Sequence, residues 1–171
     1  TQARTVLCGN LITDCDYGIY LILVYDSRVY NNTISNSSRG IFLRENSQNN
    51  ELSGNIINSS NESGIYLLDH CADNRIFNNY FNNTVNVKAE NSKGNIWNIT
   101  KAPGINIAEG PYLGGNFWAD LNGTGYSQIA EDSDSDGICD LPYNVNGCDY
   151  DYLPLARLPF SPSLSGGNLK L

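Results

Sequence analysis

Aliphatic and asparagine residues recur along the first hundred residues at intervals of 22–24 positions. Four asparagines, Asn10, Asn32, Asn55 and Asn79, stand in register, each with an aliphatic residue three positions before it. A further aliphatic or aromatic residue follows two positions after each of them. In the first three units a glycine then precedes an alternating apolar pair, as in GIYL at residues 18–21. Short period-2 segments separated by Gly, Asn and Ser predict short β-strands joined by turns.

A repeat of this length predicts that the strands wind into a coil. Each unit is too small to bury its own apolar face, so the units must stack about 4.8 Å apart to share a core. The predicted fold class is all-β: a single-stranded parallel β-helix of about four rungs, each rung being one circuit of the coil. The aliphatic positions then form internal columns, and the four asparagines form a ladder of bonded side-chain amides. The same register places Arg28, Glu51 and Arg75 above one another on the outer surface.

The composition agrees with β-structure, and the excess of negative charge lies in one segment. Asparagine makes up 25 of the 171 residues, and such a chain is a poor helix former. The formal net charge is −8, and nine acidic residues with no Lys or Arg lie between Lys101 and Arg157. The repeats before that segment are nearly neutral. This balance disfavours nucleic acid as a partner, and no apolar run is long enough to predict a membrane span.

The acidic segment contains a loop with the spacing of a calcium site. Carboxylates occupy loop positions 1, 3, 5 and 9, a glycine occupies position 6, and a backbone carbonyl falls at position 7. The predicted ligands are Asp132, Asp134, Asp136, Ile138 and Asp140. Hard oxygen ligands at these positions converge on one ion in EF-hand-type loops. We therefore predict structural Ca²⁺ as the cofactor, against the alternative of a solvated acidic loop.

The twelfth position of this loop is a tyrosine, so a further carboxylate must complete the predicted site. Three candidates stay open, which are Glu131, Asp149 and Asp151.

Five cysteines and seven glycosylation sequons favour an exported protein. Cys139 and Cys148 lie nine residues apart in the acidic segment and are the best candidates for a local disulfide. The other thiols are Cys8, Cys15 and Cys71, of which at least one must stay free or pair between molecules. The candidate N-glycosylation sites are Asn31, Asn36, Asn58, Asn61, Asn82, Asn98 and Asn122. Thiols and sequons together predict an extracellular or cell-surface location.

The sequence offers no convincing catalytic constellation. The best candidate is Asp69-His70, which the repeat register brings near Arg44 and Glu45 of the preceding rung. General acid–base catalysis needs paired groups that converge on a cleft, and four rungs provide little floor for a polymer groove. A single histidine and no methionine also give little support for a soft-ligand copper site. We therefore predict no catalytic residues and no enzymatic activity.

The repeat and the segments after it resemble a known group of proteins. The N-x-I…G-I-x-L unit resembles the parallel β-helix repeat of the carbohydrate-binding and sugar-hydrolase group, which includes NosD-like proteins. The segments GNIWNITKAPGINIAEGPYLGGNFWADLNGTG, DSDSDGICDLPYNV and DYDYLPL resemble the closing segment of β-helix domains in archaeal surface proteins. The resemblance covers roughly residues 5–156 and implies a right-handed helix, export and an envelope role, but no single activity. Cys139 and Cys148 stand where glycine is common in that group, which supports the bridge between them.

The chain divides into three predicted parts with one leading function. The parts are β-helix rungs at residues 1–101, a Gly/aromatic cap with the acidic loop at 102–156, and an extended tail at 157–171 that packs on a neighbour. Few residues precede the first repeat, so its rung is expected to be covered by a longer β-helix or by a neighbouring molecule. The leading hypothesis is an extracellular module that self-associates through its β-helix ends into a filament, sheath or surface coat. The alternative is a carbohydrate-binding or polysaccharide-active surface domain with glycans as partners.

Overall fold

The computed structural model describes residues 4–157 and consists almost wholly of short strands. Each of the first four rungs has three strands, with bounds Val6–Cys8 (β1), Leu11–Thr13 (β2), Tyr17–Ile22 (β3), Arg28–Tyr30 (β4), Thr33–Ser35 (β5), Arg39–Arg44 (β6), Glu51–Ser53 (β7), Ile56–Asn58 (β8), Ser63–Leu68 (β9), Arg75–Phe77 (β10), Tyr80–Asn82 (β11) and Val87–Glu90 (β12). The segment after them adds Ala102–Pro103 (β13), Tyr112–Leu113 (β14), Phe117–Ala119 (β15), the helix Tyr126–Ile129 (α1), Tyr143–Asn144 (β16) and Tyr150–Asp151 (β17). Apart from Arg157, the predicted tail lies outside the described residues.

Corresponding strands of successive rungs pair in parallel and form three sheets. Sheet 1 has the order β1-β4-β7-β10, sheet 2 the order β2-β5-β8-β11-β15, and sheet 3 the order β3-β6-β9-β12. In sheet 1 Arg28 pairs with Glu51, and Glu51 pairs with Arg75, which is the register of the repeat. The predicted parallel β-helix of about four rungs is therefore confirmed.

Side chains that point inward stack into columns along the coil. One column runs through Ile12, Ile34, Ile57 and Phe81 and continues on Trp118 of β15. From Ile34 onward these side chains are at most 1% exposed, whereas Ile12 in the first rung is half-buried. Burying a side chain of this size stabilises the fold by about 1.5–3 kcal/mol, so the columns make the main favourable contribution to the free energy of folding.

The glycine at the second position of the third strand in each of the first three rungs is required by close packing. A Cβ on Gly40 would lie 2.5 Å from the carbonyl oxygen of Gly64 on the next rung and 2.4 Å from the Ile57 side chain. Because backbone of the adjacent rung cannot move away, only glycine fits at this corner. The repeated glycine of the sequence is thus a packing requirement of the stack.

Candidate functional site

The four repeated asparagines form a continuous ladder at the corner between sheets 1 and 2. Nδ2 of Asn10 donates to Oδ1 of Asn32 at 2.8 Å, and the steps from Asn32 to Asn55 and from Asn55 to Asn79 are each 2.9 Å. The backbone N–H of each donor residue also bonds to the same oxygen. The ladder extends one step beyond the predicted set, because Asn79 donates to Oδ1 of Asn116 at 2.9 Å. Every donor therefore points from the first rung toward the cap.

A second ladder, which the sequence reasoning missed, runs beside sheet 1. The backbone N–H of Ser27 donates to Oδ1 of Asn50, and Nδ2 of Asn50 donates to Asn74 at 2.9 Å. Asn74 donates in turn to Asn95 at 3.0 Å. The spacings of 24 and 21 residues between these asparagines were a readable signal of the repeat. This ladder has the same polarity as the first.

Both ladders end on a buried carboxylate of the cap. Asp151, which is fully buried, accepts from the backbone N–H of Asn116 at 2.7 Å and from Nε1 of Trp118 at 2.9 Å. Asp149 accepts from the backbone N–H groups of Gly94 and Asn95 at 2.9 and 3.2 Å. Hydrogen bonds in a chain polarise one another, so a charged acceptor at the end strengthens the whole series. These two aspartates, which were candidates for the twelfth calcium ligand, instead terminate the ladders.

Burial makes the Asp151 carboxyl group a weaker acid than an exposed aspartate. Removal from water raises the pKa of its carboxyl group to about 7, although four N–H groups donate to it and favour the ionised form. The protonation state of this ladder end therefore changes within the neutral pH range.

The acidic loop brings three predicted ligands together. Single carboxylate oxygens of Asp132, Asp134 and Asp136 lie within 4.8 Å of one another. Asp132 accepts the backbone N–H groups of Asp136 and Gly137, at 3.1 and 2.9 Å. Asp136 accepts the N–H of Ile138 and forms an ion pair with Lys101, 35 residues earlier in the chain. Backbone amides and one lysine thus balance the charge of this cluster.

The remaining predicted ligands have other roles. The Asp140 carboxylate accepts the hydroxyl of Ser133 at 2.5 Å and its backbone N–H at 3.1 Å. These bonds lower the pKa of Asp140. The Ile138 side chain is 6% exposed and packs in a small core with Phe117 and Leu155. The loop is therefore held by its own turn hydrogen bonds and by the cap core.

The predicted disulfide between Cys139 and Cys148 is not formed, and all five thiols are free. Cys139 is buried in the cap, with its thiol 3.5 Å from the Leu155 carbonyl oxygen, whereas Cys148 is exposed. Burial raises the pKa of Cys139 to about 12 and also raises that of Cys71. Cys139 thus contributes an apolar surface to the cap, and Cys8, Cys15 and Cys148 are the exposed thiols.

The single histidine lies in a surface groove near the cap. His70, Lys93 and Cys148 are among the residues that line this groove. As the register predicts, Nε of Arg44 lies 3.8 Å from a carboxylate oxygen of Asp69. It also lies 3.3 Å from a carboxylate oxygen of Glu45, the next residue in the chain. Exposed pairs of this kind contribute about 0–1 kcal/mol each.

The seven sequon asparagines differ in exposure. The exposed ones are Asn31, Asn36, Asn61 and Asn122, and the half-buried ones are Asn58, Asn82 and Asn98. Because a glycan needs an accessible amide, the predicted modification is sterically easiest at the exposed four.

A comparison with protein families gives a match over most of the chain. The family described as periplasmic copper-binding protein (NosD) matches residues 1–123, which is more than half of the chain. The chain belongs to the NosD family. No curated protein and no solved structure gave a match. NosD proteins are described as periplasmic, so the predicted location outside the cytoplasm is confirmed, and the protein is a β-helix module of an exported family.

No helix within residues 4–157 is long and apolar enough to cross a membrane.

The family assignment corrects the predicted cofactor. NosD is described as copper-binding, so the prediction of structural Ca²⁺ at Asp132, Asp134, Asp136, Ile138 and Asp140 is wrong. The carboxylate spacing arose for a different physical reason, since these side chains accept the amides of their own turns and pair with a lysine. Alternating acidic side chains can accept the N–H groups of a tight turn, and the same spacing would also suit the coordination of a cation.

The donor set of this NosD protein fits copper poorly. The chain has one histidine and no methionine, and residues 1–3 and 158–171 contain no Cys or His. Among the described residues, three or more His, Cys, Asp or Glu side chains approach one another closely enough to share an ion only in the carboxylate cluster. Copper prefers thiolate, thioether and imidazole ligands, and the raised pKa values of Cys71 and Cys139 keep both as thiols.

We expect copper titration to reveal no stoichiometric site. Competition with a Cu(I) chelator and calorimetry with Cu(II) should both give less than one tightly bound ion per chain. His70→Ala and Cys148→Ser variants should behave like the natural chain in these assays. One-to-one submicromolar binding that either substitution abolishes would contradict this expectation and would identify the His70 groove as the site.

Proposed function

We propose that this NosD-family module is a structural component of the cell exterior that joins other copies of itself through its first rung. The observation that carries the proposal is the stacking of the rungs, because each rung pairs its strand edges and buries its apolar side chains only against another rung. Within residues 4–157 the strands β1, β2 and β3 are paired on one edge, so their other edge can pair with a further rung, of this protein or of a second copy. Unpaired strand edges are templates for pairing with another chain. The proposal assigns the module no catalytic role.

The distribution of exposed apolar side chains supports the same surface. Of the 15 large hydrophobic residues that are exposed within residues 4–157, six lie in the first rung: Val6, Leu11, Tyr17, Tyr20, Ile22 and Leu23. Leu11 is 76% exposed, although it lies in a strand. A concentration of apolar residues on one surface is typical of a protein interaction site.

The amide ladder is also open at this end. Each asparagine after Asn10 accepts a hydrogen bond on its Oδ1 from the rung before it. Asn10 stands in the first described rung, so within the described part of the chain no earlier rung supplies that donor. A further rung, of this protein or of a second copy, can provide it. At the opposite end the chemistry is complete, because Asp149 and Asp151 close both ladders.

Carbohydrate binding is less well supported by the aromatic side chains. The largest outward group on sheet 3 consists of Tyr17, Tyr20, Phe42 and Tyr66, whose ring centroids are 4.8–5.7 Å apart. Phe42 and Tyr66 are only 5% and 6% exposed, because the rings cover one another. A sugar platform needs open ring faces, so this stack acts mainly as outer packing.

Sedimentation over a range of protein concentrations tests the proposal. The natural chain should form concentration-dependent polymers. Ile12→Glu, which places a charge in the half-buried start of the internal column, should raise the half-assembly concentration at least 100-fold because the charge must be desolvated. Ile105→Glu is the matched control, since Ile105 is 74% exposed in a loop outside the first rung, and it should assemble like the natural chain. A natural chain that stays monomeric at all concentrations would refute the proposal.

A further inference from the structure

The outer face of sheet 2 carries a short apolar stripe that ends at a groove. The stripe runs in register from Ile56 of β8 through Tyr80 of β11 to Phe117 of β15. The Tyr80 and Phe117 rings stack, with their centroids 5.1 Å apart and their planes inclined by 5°. A groove of about 440 Å³ lies beside these rings, and Ile107 and Ala108 are among its other lining residues. The stripe and groove therefore have the aromatic lining that is typical of a site for an extended peptide.

The described part of the chain ends at this groove. Arg157, the last described residue, lines the groove together with Tyr80 and Phe117. The backbone N–H groups of Leu155, Ala156 and Arg157 each donate to a carbonyl oxygen of the cap, at 2.9, 2.9 and 3.2 Å. The segment that follows in the sequence, residues 158–171, therefore starts from a fixed point on the rim of the groove.

The sequence of that segment suits an aromatic-lined groove. Arg157 is followed by LPFSP at residues 158–162, in which Pro159 and Pro162 are three positions apart. Proline fixes φ near the value of the polyproline II helix, which has three residues per turn, so this spacing favours two prolines on one face. Segments of this kind bind aromatic-lined grooves because their extended form exists before binding and little entropy is lost.

The spacing of the two prolines matches the spacing of the stripe. A polyproline II segment rises by about 3.1 Å per residue, which separates Pro159 from Pro162 by about 9.3 Å. Neighbouring strands lie about 4.8 Å apart, so Phe117 and Ile56, which are two strands apart, are separated by about 9.6 Å. Pro159 comes only two residues after Arg157 on the rim of the groove. A segment directed from the cap toward the first rung can therefore set one proline on the stacked rings and the other beside Ile56.

We infer that residues 158–162 dock along this stripe of their own chain, with Pro159 against the stacked rings and Pro162 against Ile56. Docking would cover the groove and the exposed Ile56 side chain. The short connection to Arg157 gives the segment a high effective concentration at the groove of its own chain. A neighbouring copy, which is the packing partner predicted from the sequence, offers a far lower one in dilute solution. This inference does not depend on the proposed self-association.

Cleavage of the full chain by chymotrypsin after Phe160 tests the docking, with mass spectrometry to identify the product. A peptide of residues 155–171 gives the cleavage rate of the undocked segment. Cleavage of a transiently opened site follows the population of the open form, so the natural chain should be cleaved at least about tenfold more slowly than the peptide. Ile56→Glu places a charge where Pro162 docks and should restore most of the peptide rate. Ile96→Glu is the matched control, since Ile96 is 46% exposed outside the stripe, and it should keep the protection.

The outcomes separate the inference from its alternatives and from the proposed function. Cleavage of the natural chain at the peptide rate, or equal protection of the natural chain and the Ile56→Glu variant, would overturn the docking. Protection that increases with protein concentration would assign the segment to a neighbouring copy and would overturn it as well. Protection at a concentration where sedimentation detects only monomers supports the docking, even if the natural chain fails to self-associate at any concentration.

A disulfide trap checks the same contact without an added charge, and it replaces the Ile56→Glu variant if thermal unfolding shows that this variant is unfolded. The three exposed natural cysteines are first replaced by serine. Ile56→Cys combined with Pro162→Cys should then form a disulfide within one chain on oxidation by oxidised glutathione, because docking brings the two positions within bonding distance. Ile96→Cys combined with Pro162→Cys is the control and should stay reduced. Equal trapping of the two pairs, or trapping only between chains, would overturn the inference.

Discussion

Replacing Asn55 by alanine should lower the free energy of unfolding by about 3–5 kcal/mol. Asn55 is fully buried and donates to the Val29 carbonyl oxygen and to Oδ1 of Asn79, each at 2.9 Å. Its own Oδ1 accepts two bonds from Asn32. Alanine would take the acceptor from the buried Asn32 N–H and would remove the side-chain donor from the Val29 carbonyl, and a buried group left without a partner costs about 1–3 kcal/mol. Equilibrium denaturation in urea measures the change.

Asn10→Ala is the matched control, because it removes the same side chain from the exposed end of the same ladder. Asn10 only donates within the ladder, and water can replace a lost bond at an exposed position. The expected loss is about 1 kcal/mol or less. Equal losses for Asn10→Ala and Asn55→Ala would show that burial of the ladder does not determine its contribution.

The stability of the protein should fall as the pH rises from about 4 to about 7. The folded state raises the pKa of Asp151 to about 7, whereas an unfolded aspartate has a pKa of about 3.9. Between these values the folded state binds more protons than the unfolded state, so raising the pH favours unfolding. The difference between the two pKa values corresponds to about 4 kcal/mol, fully present below pH 4 and lost above pH 7. Urea denaturation at a series of pH values measures it.

Asp151→Asn isolates this contribution from other titrating groups. The amide keeps one acceptor oxygen for Asn116 or Trp118 and carries no titratable proton. The stability difference between the two proteins should therefore change by about 4 kcal/mol across this pH range. A difference that does not depend on pH would show that Asp151 keeps its ordinary pKa in the folded protein.

The repeat made the rungs predictable from the sequence. When the same residue type returns every 22–24 positions, its neighbours in space are fixed by the stacking alone, as for Asn32 and Asn55 or for Arg28 and Glu51. The second ladder obeyed the same rule and was readable from the spacing of Asn50 and Asn74, but it was overlooked. In a parallel stack, residues that are one repeat apart in the sequence are in contact in the structure.

The cap could not be predicted in this way, because each of its contacts occurs once. Asp136 pairs with Lys101 across 35 residues, and Asp149 accepts amides from Gly94 and Asn95 more than 50 residues earlier. Local spacing instead suggested a calcium loop and a disulfide between neighbouring cysteines. Both expectations rested on residues close in sequence. The loop carboxylates do accept N–H groups of their own turns, but Lys101 and the Gly94 and Asn95 amides come from far along the chain and could not be read from local spacing.

The uniform direction of the two ladders has a consequence for how such proteins change in length. Every inner rung accepts amide hydrogen bonds from the rung before it and donates amide hydrogen bonds to the rung after it. Duplicating one repeat would therefore leave no donor or acceptor unpaired at either junction. The terminating carboxylates, Asp149 and Asp151, are needed only once for any number of rungs. Gene duplication within the coil can therefore lengthen the molecule in steps of about 4.8 Å while both ends stay the same.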